Sequence, residues 1–451
     1  MNTDVPTQFL PCIATPIYKK KDSRTLPSSY RSILVSSSFC KCLEGILNRS
    51  LLSYLHSYDI IPSTQYGFRP KRSTTALLCN AFTDFSAAID EGRTIYCALL
   101  DFSNAFAAPS FDRILAKMEN VGIRGRELDW FADFIANRTF TVKIGDVLSD
   151  SFPIQAGVTQ GSPSSSTIWL IFMRDLQLRI ESLGCKGLYY ADDCSLYTED
   201  PDILSAAIAE TIQFCKEWTI DLSISKSVIV IYGNAPDPIP VFQINGIPIP
   251  TETGPTKILG VQVRPDLSFV DHVNAIVAKA NSTCALIFRT FSTRDPVVYA
   301  RAFISFVRPV LEFSSPAWNA INITDCDRIE RVQRLFTLRV IRRCNLKKRS
   351  YIDRLAICQL EPLRLRRRLI DVGFVHSVLQ EGHFCPAITP IPPNPAYPLR
   401  DSLRLPVPKK CSKFLASSFK VRVSRLWNAI PLKTRRLGKS AFNARARACR
   451  N

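Results

Sequence analysis

The sequence predicts a mixed α/β fold, of the α+β kind with an antiparallel sheet, and three observations predict it. Short apolar runs end on acidic residues, at Ile95–Leu100 before Asp101 and at Leu188–Tyr190 before Asp192. Longer stretches carry apolar residues at spacings near 3.6. The two kinds alternate as far as Val263 and give way to helical patterns beyond it.

The elements follow in order. Residues 1–30 are polar and basic, with a turn signal at Pro27. Phe39, Leu43, Ile46, Leu47, Leu51 and Leu55 mark one face of a helix, and Pro62 breaks the chain after it. A second helix is predicted from Thr74 to Asp90, stopping at Gly92. Ile95–Leu100 reads as a buried strand. Phe111, Ile114, Leu115 and Met118 give a helix face ended by Gly122. Ser162-Pro163 reads as a helix start, serine as cap and proline at the first position, with the helix running to Gly184. Leu188–Tyr190 and Ser195–Tyr197 are two β-prone arms around Ala191-Asp192-Asp193-Cys194. A short strand ends near Val263, helical patterns continue to about Leu379, and six prolines between Cys385 and Pro398 read as an extended linker to a basic tail. The expected divisions are 1–92, 93–263, 264–384 and 385–451.

Charge points to a polyanionic partner. The net charge is +19, and it is unevenly placed: from Asn281 onward there are 33 Lys and Arg against 10 Asp and Glu. A near-neutral body is followed by a strongly basic C-terminal region, which favours nucleic acid over a merely solvated surface. The longest apolar run, around Ile168–Met173, is too short to span a membrane. The 15 cysteines include no CxxC pair and read as reduced, buried small side chains of an intracellular protein. His376, His383 and Cys385 lie near one another in sequence but lack a fourth zinc ligand.

Two carboxylate sites carry the chemistry. A strand end can hold a carboxylate rigidly only if cations or hydrogen bonds offset its desolvation. If the strand before Asp101 neighbours the hairpin carrying Asp192-Asp193, these side chains converge and could bridge two divalent cations. Magnesium suits such hard oxygen ligands. Each signal alone is weak: an Asp-Asp pair usually marks a surface turn, and an Asp after a strand usually caps a helix.

At these residues the chain resembles the reverse transcriptases of non-LTR retrotransposons, the Jockey-like elements in particular. Tyr190-Ala191-Asp192-Asp193 resembles the family's aromatic-Ala-Asp-Asp motif, and Leu100 to Phe106 its first palm motif. Gly157-Val158-Thr159-Gln160-Gly161-Ser162 is similar to its Gly-rich loop. Tyr30-Arg31-Ser32-Ile33 and Gln65-Tyr66-Gly67-Phe68-Arg69 resemble two fingers signatures. Leu222 to Ser227 is similar to the lysine motif, Leu259-Gly260-Val261 to the primer grip, and Ser424 to Pro431 to a terminal signature.

The resemblance implies a right-hand polymerase with fingers (1–92), palm (93–263), helical thumb (264–384) and a linker with a basic tail (385–451). It implies RNA-directed DNA polymerase activity on an RNA template and DNA primer with deoxynucleoside triphosphates, two magnesium ions (or manganese), and a nuclear location. Asp101, Asp192 and Asp193 would be the catalytic and metal-binding carboxylates. Phe106 would gate the sugar, although alone it reads as core packing. Gln160 and Gly161 would admit the nucleotide and template. Lys226 would approach the pyrophosphate or remain a solvated lysine, and Arg69 and Arg72 would meet phosphates. The basic helices around Arg331–Arg349, with Arg364, Arg366, Arg367 and Arg368, would grip the duplex. The family's N-terminal endonuclease is expected to be absent. Departures from the pattern fall at Ala107 (for Asp), Thr159, Ser166 and Ser32 (each for Pro) and Ser223 (for Asn). They leave a catalytically inactive nucleic-acid-binding remnant as the alternative; an intron-type maturase fits the outer signatures less well.

Overall fold

The computed structural model describes residues 5–20, 23–103, 106–319, 322–391 and 402–448. The chain forms two compact units: Met1–Arg69 with Tyr96–Ile229 and Pro238–Thr251, and Pro70–Ile95 with Val230–Asp237 and Glu252–Asn451.

The first unit holds two sheets. In one, β1 (Pro11–Tyr18) lies beside β2 (Tyr30–Ser36), and the hairpin of β5 (Thr139–Ile144) and β6 (Val147–Pro153) completes the order β2-β1-β5-β6. The β1–β2 and β5–β6 pairs are antiparallel, and β1–β5 is parallel. In the other, β3 (Ile95–Leu100) pairs with β8 (Asp193–Thr198), which pairs with β7 (Lys186–Tyr190), all antiparallel. A two-residue pair joins β4 (Phe102–Ser103) to β9 (Asp221–Leu222).

Five helices accompany these sheets: α1 (Ser38–Ser57), α3 (Phe111–Asn120), α4 (Arg126–Ala136), α5 (Ser165–Ser182) and α6 (Pro201–Trp218), of which α5 and α6 lie against β7 and β8. Helix α2 (Thr74–Asp90) belongs to the second unit. Ser37 caps α1 by accepting from Cys40 N, and Asp200 caps α6 with Pro201 at its first position. Helix α5 is buried nearly all round, from Thr167 through Met173, as its continuous apolar run requires. Between α3, α5 and α6 the buried Lys117 ammonium meets Asp175 Oδ2 at 2.6 Å and sits 3.6 Å from the Trp218 ring centre. Burial pulls that lysine's pKa down, against the pull of Asp175.

Helix α5 begins at Ser165 rather than at Pro163. Ser164 N and Ser164 Oγ donate to Glu44 Oε1 at 2.8 and 2.5 Å, and Ser162 Oγ donates to the same oxygen. Glu44, on α1, is fully buried. Its carboxylate claims the donors of the turn, so Ser164 replaces Ser162 as the residue preceding the helix.

The second unit is helical. After α2 come α7 (Val270–Thr290), α8 (Pro296–Ala302), the single turns α9 (Arg308–Glu312) and α10 (Ser315–Trp318), then α11 (Ile323–Arg343), α12 (Tyr351–Ile357) and α13 (Leu363–Glu381). Phe336 packs against Phe288 and Phe303 in its core. The buried Glu330 accepts from Leu363 N and Arg364 N at 3.2 and 3.0 Å, placing negative charge at the start of α13. From Arg328 to Ser350 every exposed charged side chain is basic.

Only the first part of the expected linker is described: Cys385, Ala387 and Ile388 are buried, and residues 392–401 lie outside the described residues. The expected tethered tail is instead packed helix. Residues 402–448 form α14 (Lys413–Ser417), α15 (Phe419–Asn428), α16 (Leu432–Arg435) and α17 (Lys439–Ala448). Val423, Trp427 and Phe442 are fully buried, and the Phe442 ring stacks 4.2 Å from His376 of α13. A few well-placed apolar residues outweigh the segment's charge. Among the described residues no helix is long and apolar enough to cross a membrane.

Candidate functional site

Asp101 leaves the end of β3 with its backbone tied down. Its N–H donates to the buried Ser227 Oγ at 3.3 Å, and its carbonyl accepts from Ser223 N at 2.8 Å. Its carboxylate accepts from Lys226 Nζ at 2.9 Å, with side chains 40% and 61% exposed. This lysine motif thus carries both the serines that fix the strand end and the cation that faces it.

The second carboxylate site is the β7–β8 hairpin. Tyr190 pairs with Asp193, so the turn is two residues, Ala191 and Asp192, with Ala191 at φ +60°. The last β3–β8 pair is Leu100 with Cys194, and Asp101 and Asp193 are the residues that adjoin it at the hairpin end. The Asp193 carboxyl is accordingly raised to about 6, first by desolvation, then by the charges of Asp192 and Asp101.

The Gln65-Tyr66-Gly67 segment braces this hairpin. Tyr66 N donates to Tyr189 O at 2.8 Å, and Tyr189 N donates to Thr64 O at 3.1 Å. The buried Gln65 side chain accepts from Gly67 N at 2.8 Å and Ala191 N at 3.2 Å. A Cβ on Gly67 would lie 2.2 Å from Ala191 N, which is why glycine stands there.

The Gly-rich loop is held against β2. Leu34 N donates to Gln160 O at 2.8 Å, and Gly161, at φ +116°, comes so near that a Cβ would stand 2.5 Å from Leu34 O. Thr159, one of the departures from the family pattern, has a partner of its own: the buried Arg138 donates to its Oγ1 at 2.7 Å.

These pieces enclose one cleft of about 750 Å³. Asp101, Phe106, Gln160, Asp192 and Lys226 line it together. Gly161 adjoins it, and Asp193 reaches it through its charge rather than as a wall. Arg69 is elsewhere, donating to the carbonyls of Ile61 and Pro62 at 3.0 and 2.6 Å. Arg72 belongs to the other unit and lies 3.7 Å from the centre of the Phe384 ring. Arg31 and Lys19 also line the cleft, and sequence reasoning gave neither a role. The signal for Arg31 was present in Tyr30-Arg31-Ser32-Ile33.

Among the described residues no three His, Cys, Asp or Glu side chains are grouped so as to hold a metal ion. The donor chemistry nonetheless suits a divalent cation. Asp101 and Asp192 offer hard oxygens to one cleft, and Asp193 beside them feels the charge of both.

A family model described as reverse transcriptase (RNA-dependent DNA polymerase) matches residues 18–263, more than half of the chain. The chain is 23% identical over 339 residues to a probable RNA-directed DNA polymerase from transposon X-element of Drosophila melanogaster, covering 73% of this chain and 37% of that protein. It is 26% identical over 271 residues to the RNA-directed DNA polymerase from mobile element jockey of the same species, covering 58% and 29%. The chain thus spans about a third of the length of these curated relatives. Among solved structures, apo telomerase from Candida tropicalis matches at a TM-score of 0.44 and 11% identity, covering 84% of this chain and 68% of that one.

Proposed function

Since the chain belongs to the reverse transcriptase (RNA-dependent DNA polymerase) family, with the mixed α/β fold of a right-hand polymerase, we propose that it is the polymerase part of a non-LTR retrotransposon protein. The reaction is addition of deoxynucleotides to a primer 3′ end copied from RNA. One observation carries this reading: Asp101 and Asp192, far apart in sequence, line the same cleft as Phe106, Gln160 and Lys226.

Asp101 and Asp192 would hold two magnesium ions, or manganese in their place, with Asp193 beside them. Such ions, when bound, activate the attacking hydroxyl and offset charge on the triphosphate. Arg31 and Lys226 face the cleft as cations and would bind the triphosphate, with Lys226 placed to give a proton to the departing pyrophosphate. Phe106 would pack on the sugar and crowd a 2′-hydroxyl. The Gln160–Gly161 backbone would let the nucleotide and template approach closely. The exposed arginines of α11 would bind the phosphate backbone of the template–primer duplex. On this reading residues 1–92 serve as fingers, 93–263 as palm, 264–384 as thumb and 385–451 as a basic extension. Work at chromosomal targets would place the protein in the nucleus.

The test is primer extension on a homopolymeric RNA template with magnesium, comparing the chain with its Asp192→Asn variant. Extension by the wild type alone, with duplex binding equal in both, is the expected outcome. Wild-type-like extension by the variant would overturn the carboxylate assignment; failure of both would favour the inactive nucleic-acid-binding remnant.

A further inference from the structure

Helix α5 places one large side chain beneath two parts of the cleft. Trp169 is 1% exposed. Its indole Nε1 donates to Ala191 O at 3.0 Å, and its ring lies 5.0 Å from Phe106 at an angle of 31°. It also stacks 5.7 Å from Phe172 at 15°.

The Ala191 backbone is therefore held on both sides of its Cα, at its own N–H and at its own carbonyl. Gln65 Oε1 takes the N–H and Trp169 takes the carbonyl. Ala191 sits at φ +60°, a conformation that an L side chain adopts only when its surroundings impose it. Asp192 follows directly, so these two hydrogen bonds set the direction in which its carboxylate leaves the turn. The same indole supports the Phe106 ring.

We propose that Trp169 is a positioning residue that joins the Asp192 turn and Phe106 into one unit, so that the metal-binding carboxylate and the sugar-facing ring keep a fixed separation. The inference rests on the polymerase reading for what the two groups do, and on geometry alone for their being coupled. Phenylalanine at 169 keeps an aromatic ring under Phe106 and deletes the N–H donor. Leucine deletes both. Methionine at 65 removes the acceptor on the opposite side of the turn.

The experiment measures manganese affinity by electron paramagnetic resonance, alongside single-nucleotide extension with deoxy- and ribonucleotides. Melting curves and near-UV circular dichroism establish that each variant is folded. Trp169→Phe is expected to weaken manganese binding roughly tenfold, as loss of an outer-shell partner does, with sugar discrimination intact. Gln65→Met should reproduce the loss of affinity. Trp169→Leu should in addition admit ribonucleotides. Unchanged manganese affinity in folded Trp169→Phe and Gln65→Met would overturn the proposal, as would a wild type that binds no manganese. Unchanged sugar discrimination in Trp169→Leu would overturn the coupling to Phe106. If the wild type binds manganese but extends no primer, the polymerase reading fails, and the manganese comparison still decides the positioning role.

Discussion

Asp192 sits on a turn gripped by buried neutral groups, whereas Asp101 ends a strand with its carboxylate partly open to water and balanced by Lys226. The Asp192 turn is held by Gln65 and Trp169, both essentially inaccessible to solvent. Such hydrogen bonds are insensitive to salt, and leaving either partner unpaired is costly. The Asp101–Lys226 pair is solvent-exposed, hence weak and screened. The backbone that carries Asp192 is set by the fold, whereas the Asp101 carboxylate is paired with an exposed cation. On the proposed polymerase reading, a site that takes up and releases metal and triphosphate on each cycle would have use for both.

Four substitutions break or sharpen this contrast. Asp101→Asn should abolish extension altogether while leaving the melting temperature nearly unchanged, because the carboxylate's own stabilising partner is a surface lysine; a gel of primer extension beside a thermal melt checks both. Gly67→Ala forces a Cβ against Ala191 N and must shift the turn. A displacement near 1 Å costs ~10²-fold in rate, here with a lower melting temperature, seen in single-turnover kinetics and calorimetry. Lys226→Met should slow extension on the order of 10-fold, about 1.4 kcal/mol of barrier, and move stability by no more than ~0.5 kcal/mol. A large stability loss would show that Asp101, too, is held by a structural bond. Thr159→Val leaves the buried Arg138 without its 2.7 Å acceptor and should cost ~1–3 kcal/mol in denaturant unfolding. Its effect on extension should be the smallest of the four.

How far the sequence revealed the site follows the same division. Asp101 and Asp192 announce themselves because an acid ending an apolar strand is locally odd, and the hairpin around Asp192 has β-prone arms on both sides. Helix α2 falls from Thr74 to Asp90 as its pattern predicts, with Ser73 as its cap. Glu44, Arg138 and Gln65 are different. Each is a buried polar side chain with at least one partner distant in sequence; Glu44 and Ser162 are 118 residues apart. Nothing in the flanking residues distinguishes them from solvated side chains, so the start of α5 is misplaced by anyone reading locally. The β5–β6 hairpin does carry a local signal: Thr139 to Ile144 alternates, and Gly145-Asp146 is a turn signal. Strand β1 is masked by Pro11 and Pro16, tolerable there and poor β-formers. The C-terminal helices are obscured by charge, since their few buried residues are spread among arginines and lysines.

The cysteines give the molecule a practical handle. Among the described residues all the thiols are free, most are buried, and Cys42 is the only exposed one. Burial raises Cys185, Cys215, Cys284 and Cys385 to about 12, so at neutral pH they are almost wholly protonated and unreactive. A maleimide dye applied briefly should therefore mark Cys42 first among the described thiols. That residue lies on α1, two positions before Glu44, whose carboxylate anchors the Ser162–Ser164 turn. A fluorophore there would report from the helix that anchors the Gly-rich loop.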